Sequence, residues 1–200
     1  HFKAIVAVPV STGGVGITVD YFGTTLFSAS QIGIGYGRRL NDDVDIGIRI
    51  NYNSIRLAGY GSGGTVTAEL GTIWHITPSL HTGVHIYNPA GGKIAQEKLP
   101  FLYSWGIGYE ASDKFFISSI IAKEEQQPVN ATISLQYLYT EHLAVGAGVT
   151  TGNNGYYAGF GIMWKTNRID VISNYHPQLG FTPALQLMFD LKKKKKKEEE

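Results

Sequence analysis

The sequence predicts an all-β fold, an antiparallel transmembrane β-barrel, and three observations predict it. First, side chains alternate in character. In Val44–Asn53 one parity is Val44, Ile46, Ile48, Ile50 and Tyr52, and the other is Asp45, Gly47, Arg49, Asn51 and Asn53. A strand sends successive side chains to opposite faces, so this segment has one apolar and one polar face. Second, the pattern recurs in about thirteen segments joined by alternately tight and longer polar connections. Third, aromatic residues gather near both segment ends, as at the two interfaces of a membrane.

The segments are, in order, Lys3–Val10, Val15–Thr25, Ser28–Leu40, Asp43–Leu57, Thr65–Thr77, Leu80–Asn88 and Phe101–Ala111. Then come Phe115–Lys123, Val129–Tyr139, Leu143–Thr151, Gly155–Lys165, Arg168–Tyr175 and Thr182–Leu191. Most have about the 9–11 residues of a tilted membrane strand. Phe115–Lys123 has the poorest alternation. One set of connections is tight and rich in turn residues: Ser11–Gly14, Asn41–Asp42, Pro78–Ser79, Ser112–Lys114, Thr140–His142 and Thr166–Asn167. The other set is mostly longer: Ala58–Gly64, Pro89–Pro100, Glu124–Pro128, Gly152–Asn154 and His176–Phe181. Outer-membrane barrels have short periplasmic turns and longer external loops, which orients the chain and places both long loops, Ala58–Gly64 and Pro89–Pro100, on the surface.

On that orientation the first segment starts outside, and a fourteenth, upstream strand is expected to bring the chain there and make the count even. The barrel is expected over residues 1–191. Residues 192–200 read as a charged, disordered periplasmic tail. That tail holds six of the 17 basic and three of the 16 acidic residues, so the remainder has 11 basic and 13 acidic, a net of −2. No basic face with interleaved aromatics appears, which argues against nucleic acid as a partner. Cysteine is absent, which excludes disulfides, thiol catalysis and Cys-based metal sites. No run reaches the roughly 18 apolar residues of a membrane helix, because a barrel strand needs them only at alternate positions.

The apolar parity includes Val15/Ile17/Val19/Tyr21, Ile32/Ile34/Tyr36, Tyr103/Trp105/Ile107/Tyr109 and Ile133/Leu135/Tyr137/Tyr139. So many large groups would overfill the interior of a small barrel, so they are assigned to lipid or lipopolysaccharide. One aromatic belt takes Tyr36, Trp74, Tyr109, Tyr139, Trp164 and Phe189 toward the turns. The other takes Tyr21, Tyr52, Tyr87, Phe101 and Tyr156 toward the loops. The opposite parity lines the lumen. Its candidates are Asp45, Arg49, Asn51, Asn53, Glu69, His75, His81, His85 and Gln136. In a wet lumen Asn51→Arg should be milder than Ile48→Arg.

Tyr21-Phe22-Gly23, Gly35–Leu40, Val44–Ile48 and Ile50-Asn51-Tyr52 resemble the FadL-type outer-membrane superfamily. Gly59-Tyr60-Gly61, Tyr87-Asn88-Pro89 and Asn174–Gly180 extend the resemblance across most of the chain. It is similar above all to the Bacteroidota branch with PorV- and PorQ-like proteins. The resemblance implies fourteen strands in the bacterial outer membrane. It also implies passage of hydrophobic small molecules or partnership with other outer-membrane proteins in type IX secretion. The family's N-terminal Asn-Pro-Ala hatch has no counterpart here, and Asn88-Pro89-Ala90 sits instead at a strand end.

Chemistry is sparse. His75 and His81 flank the Pro78 turn symmetrically and read as a polar cross-strand pair rather than a metal site. Arg39 and Asp45 oppose one another across Asn41–Asp42 and read as a rim ion pair. Arg49, opposite Gly35, is expected to pair with Glu69 or Asp45. No nucleophile elbow or paired acidic motif is present, which argues against an enzyme. No cofactor motif appears: Gly59–Gly64 lacks a phosphate-loop lysine and a following helix.

Overall fold

In the computed structural model the described residues are 1–94, 97–152, 155–178 and 180–190. They form β1 (Phe2–Val10), β2 (Gly13–Gly23), β3 (Phe27–Asn41), β4 (Val44–Leu57), β5 (Gly61–Thr77), β6 (Leu80–Tyr87), β7 (Lys93–Ile94) and β8 (Glu97–Lys98). These are followed by β9 (Leu102–Ser112), β10 (Phe115–Glu124), β11 (Asn130–Thr140), β12 (Leu143–Thr150), β13 (Gly155–Trp164), β14 (Asn167–His176) and β15 (Gly180–Met188). Each of the thirteen expected segments has its strand, Phe115–Lys123 included. The expected tail, 192–200, lies outside the described residues, as do Asn153, Asn154 and Leu179.

The chain divides into two compact units: His1–Tyr109 with Ser119–Ala131, and Glu110–Ser118 with Thr132 onward. In the first, β1 to β6 and then β9 are neighbours in chain order, all antiparallel. In the second, β11 to β15 form the same kind of meander. Four of the tight turns share one device. A side-chain oxygen accepts from the backbone N–H two residues on: Asn41 from Asp43 (3.0 Å), Thr77 from Ser79 (3.3 Å), Ser112 from Lys114 (3.3 Å) and Thr140 from His142 (3.2 Å). Asn, Ser and Thr hold a chain reversal in this way without help from neighbouring strands. Three of these strand pairs also shift register just before the turn, at Arg39/Asn41, His75/Thr77 and Leu138/Thr140.

The two long connections differ from expectation. Ala58–Gly64 is not a seven-residue loop. Leu57 pairs with Gly61, so the turn is three residues and β5 starts early. Gly59 and Gly61 adopt φ of 82° and 103°, which glycine reaches without a Cβ clash. Pro89–Pro100 is not a fully exposed, structureless loop. It contains the β7–β8 hairpin, and Ile94 in it is buried at 7% exposure.

Burial is inverted relative to a water-soluble sheet. In the first unit Ile34, Ile50 and Val66 are about 60% exposed (60%, 58% and 60%), while Asn51, Thr67 and Glu69 are 0%, 2% and 6% exposed. The second unit repeats this, with Ile133, Val149 and Phe160 exposed and Asp170 buried. An apolar face this continuous is incompatible with water and matches a lipid-facing wall. Most expected belt residues lie on that open face, Tyr21, Tyr52, Trp74, Tyr109, Tyr139, Tyr156, Trp164 and Phe189 among them. Tyr87 does not. It pairs with Glu69 in register and so belongs to the polar face.

Candidate functional site

The polar face of the first unit is organised in rows set by strand register. One row runs Gly16, Gly35, Arg49, Glu69 and Tyr87 across β2 to β6. The next runs Thr18, Gly33, Asn51 and Thr67, and the next Asp20, Gln31, Asn53 and Thr65. Each strand contributes to these rows through alternate residues, so the polar parity of the sequence becomes one contiguous surface.

Glu69 is the hub. Its carboxylate accepts from Arg49 Nη2 at 2.5 Å, from Asn51 Nδ2 at 2.8 Å and from His85 Nε2 at 2.9 Å. Arg49 therefore pairs with Glu69, as expected from the sequence. A buried carboxylate is held ionised only by such donors, and charge-assisted bonds are the stronger kind. One row away, Gln31 donates to Asn53 Oδ1 (2.8 Å) and Asn53 donates to Thr67 Oγ1 (2.8 Å).

At the turn end, Arg39 Nε donates to Asp45 Oδ1 at 2.9 Å, and Asp45 Oδ2 lies 2.8 Å from His75 Nε2. His75 Nδ1 and His81 Nδ1 are 2.9 Å apart. The expected rim ion pair and cross-strand histidine pair are thus joined into one chain of contacts.

The structure gathers Arg49, Asn51, Glu69 and His85 into one cluster, Asn53 into its neighbour, and Asp45, His75 and His81 into the turn-end group. Gln136 stands apart in the second unit, opposite Gly146. It borders a space of 270 Å³ that Phe116, Ala144, Tyr157 and Ile172 also border. Tyr157 donates to Ser134 Oγ (2.7 Å), and Arg168 pairs with Asp170 at 2.8 Å. One expectation is corrected here. Asn51 does not face open water. It is fully buried between Glu69 and the bare backbone of Gly33, where an added Cβ would lie 2.3 Å from Asn51 Oδ1.

Sequence reasoning missed Thr18, Thr67 and Asn88. The two threonines lie on the polar parity and were findable by it. Asn88 was not, because its role depends on the loop that follows. Its side chain donates to the carbonyls of Leu99 (2.8 Å) and Pro100 (3.4 Å) and accepts from Gly92 N (2.8 Å). The loop is thereby turned back over β5, with Gly92 against Thr65 and Thr67. At its far end Lys98 pairs with Glu125 at 3.2 Å. That hydrogen bond first, and one with the Phe101 backbone second, hold the Glu125 carboxyl below its ordinary value.

Solved structures share this arrangement of strands. The Pseudomonas putida toluene transporter TodX superposes with a TM-score of 0.67 at 9% identity, over 86% of this chain and 76% of that one. The monoaromatic hydrocarbon channel CymD gives 0.65 at 12% identity, over 86% and 76%. A Pseudomonas aeruginosa FadL homologue gives 0.58 at 11% identity, over 86% and 68%. The KdgM porin gives 0.53 at 10% identity, over 74% and 82%. The fold is therefore that of an antiparallel β-barrel of the outer-membrane kind. No protein-family model and no curated protein sequence matches the chain.

Proposed function

We propose that this chain is a non-enzymatic barrel of the bacterial outer membrane that passes small hydrophobic molecules. The observation that carries the reading is the inverted burial: a continuous apolar face left open and a polar face covered. Such a wall takes lipid or lipopolysaccharide as its partner on one side and solute on the other. The solute class is supported by the structural neighbours, a toluene transporter and a monoaromatic hydrocarbon channel. It is supported too by the partly apolar space between Phe116, Ala144, Tyr157 and Ile172.

A general porin is the second reading, favoured by the KdgM likeness. Against it, Asn51 and Thr67 are covered rather than lining open water. The PorV/PorQ-like assignment and a part in type IX secretion rest on the sequence resemblance alone.

Uptake of radiolabelled toluene by bacteria with an intact lipopolysaccharide leaflet, with and without the expressed barrel, tests the proposal. Faster uptake, with little ion conductance of the purified protein in planar bilayers, is the expected result. Large ohmic conductance with unchanged toluene uptake would replace the proposal with the porin reading.

A further inference from the structure

We propose that the apolar wall of the first unit carries a docking groove for one glycerophospholipid, with its phosphate on Arg38 and one acyl chain laid across β3 to β6. The inference rests on the proposed membrane barrel and specifies a lipid that its outer face holds.

The groove follows from strand register. Tyr36, Ile48, Leu70 and Ile86 are consecutive partners and make one wall. Arg38, Ile46, Thr72 and Val84 are consecutive partners on the same parity and make the other. In the row between them, Gly47 and Gly71 bring only backbone to the floor. These residues border a space of 470 Å³. Ile46, Ile48 and Leu70 are 41%, 47% and 44% exposed, so the space lies on the apolar face and opens away from the polar cluster. Four strands at about 4.8 Å spacing span roughly 14 Å, room for most of one acyl chain. Among lipids, however, an apolar groove gains only packing contacts over any other chain, so the groove alone selects nothing.

Arg38 supplies the selection. Arg39, Arg49 and Arg168 each pair with a carboxylate. Arg38 lies on the opposite parity from Arg39, is exposed, and among the described residues pairs with no carboxylate. Neither adjacent strand places an acid opposite it. Ile46 is its partner on β4, and on β2 Gly13 approaches so closely that an added Cβ would lie 3.0 Å from Arg38 Cβ. An arginine on a lipid-facing wall costs little only near an interface, where its head meets lipid head groups. Arg38 sits there, just before the Asn41–Asp42 turn and beside the belt residue Tyr36. The Tyr36 hydroxyl donates to the Thr12 carbonyl at 3.2 Å, which fixes the ring as the wall at the Arg38 end. A guanidinium with no protein anion fits a phosphodiester, whose two free oxygens match its fork.

Native mass spectrometry of the delipidated, detergent-solubilised chain tests this, with dioleoyl phosphatidylglycerol, uncharged dioleoylglycerol and lipid A as probes. One phosphatidylglycerol should be retained about tenfold more tightly than dioleoylglycerol, the scale of a charge-assisted hydrogen bond. Arg38→Gln should bring it to the dioleoylglycerol level. Thr72→Phe, on the groove wall, should weaken both. Arg56→Gln, on the same parity at the far end of β4 and outside the groove, should change neither. Equal retention of the two lipids by the natural chain would overturn the inference. So would a preference that survives Arg38→Gln, one that falls equally in Arg56→Gln, or tighter retention of lipid A. Toluene uptake by cells without the lipid preference sinks this inference alone. Retention that follows the Arg38 pattern, without any uptake, supports the groove and sinks the transport reading.

Discussion

The side-chain amide of Asn88 donates to the carbonyl of Leu99 at 2.8 Å, so one residue at the end of β6 ties down the far end of the loop that follows it. Asn88 itself is fully buried, with φ of 55°, in the left-handed region that asparagine tolerates better than most residues. The loop that the sequence places on the surface is therefore folded back over the polar face, with Gly92 against Thr65 and Thr67.

Asn88→Ala should release this loop. It removes two donated bonds and one accepted bond at a buried position, a local loss of about 1–3 kcal/mol. Limited trypsin digestion of the detergent-solubilised protein would cut at Lys93 or Lys98 much faster in the variant. Equal cutting rates would show that the clamp does not hold the loop.

The Lys98–Glu125 clasp should add a pH dependence to the same loop. The Glu125 carboxyl is held below its ordinary value in the folded state. Its contribution is therefore complete above the unfolded value and is lost as pH falls through the lower, folded one. Because the pair is exposed, the effect on global stability is small, and local proteolysis is the better readout. Pepsin cleavage near Lys98 should rise toward acid pH in the natural chain. In Glu125→Gln it should be high throughout, with a flatter profile.

Ile34→Arg should prevent folding into detergent or lipid. Ile34 is 60% exposed on the apolar wall, where arginine costs about 2–4 kcal/mol near mid-membrane. Asn51→Arg should be as damaging or worse, because Asn51 is fully buried and a longer side chain has nowhere to go. Gly47→Ser, where an added Cβ would meet nothing closer than 3.8 Å, should fold normally. Folded yields measured by heat-shifted gel mobility compare the three. A well-folded Ile34→Arg with a misfolded Gly47→Ser would mean that the faces are reversed.

Glu69→Gln should destabilise the protein through the polar cluster. It strips Arg49 of its counter-charge and weakens the bonds from Asn51 and His85, a loss of about 2–3 kcal/mol. The double variant Glu69→Gln with Arg49→Met should recover part of that loss, since no charge is then left unpaired. Urea unfolding in the presence of lipid measures both. If the double variant is no better than the single, Arg49 and Glu69 are not coupled.

Much of the fold was legible because a strand wall writes itself into every second residue. Val44–Tyr52 declares one apolar face without reference to anything else in the chain. Asn41, Thr77, Ser112 and Thr140 likewise declare their turns, because each side chain bonds a backbone group only two residues away. The cross-turn pairs, Arg39 with Asp45 and His75 with His81, followed from turn symmetry alone. The Arg49–Glu69 pair was narrowed to two candidates, and only the register of β4 on β5 chose between them.

By itself, then, the sequence determined the strands, their two faces and the reversals between them, because these depend on neighbours within a few positions. Tertiary structure decided what the polar face contains. Arg49 and Asn51 of β4 and His85 of β6 meet on the Glu69 carboxylate. Asn51 and Thr18 are sealed with unpartnered atoms over Gly33, and Asn88 draws its loop inward over Thr65 and Thr67. Each of these depends on inter-strand register and on a loop's return path. A hydrogen bond acts over about 3 Å, so no alternation along a single strand records which groups come that close.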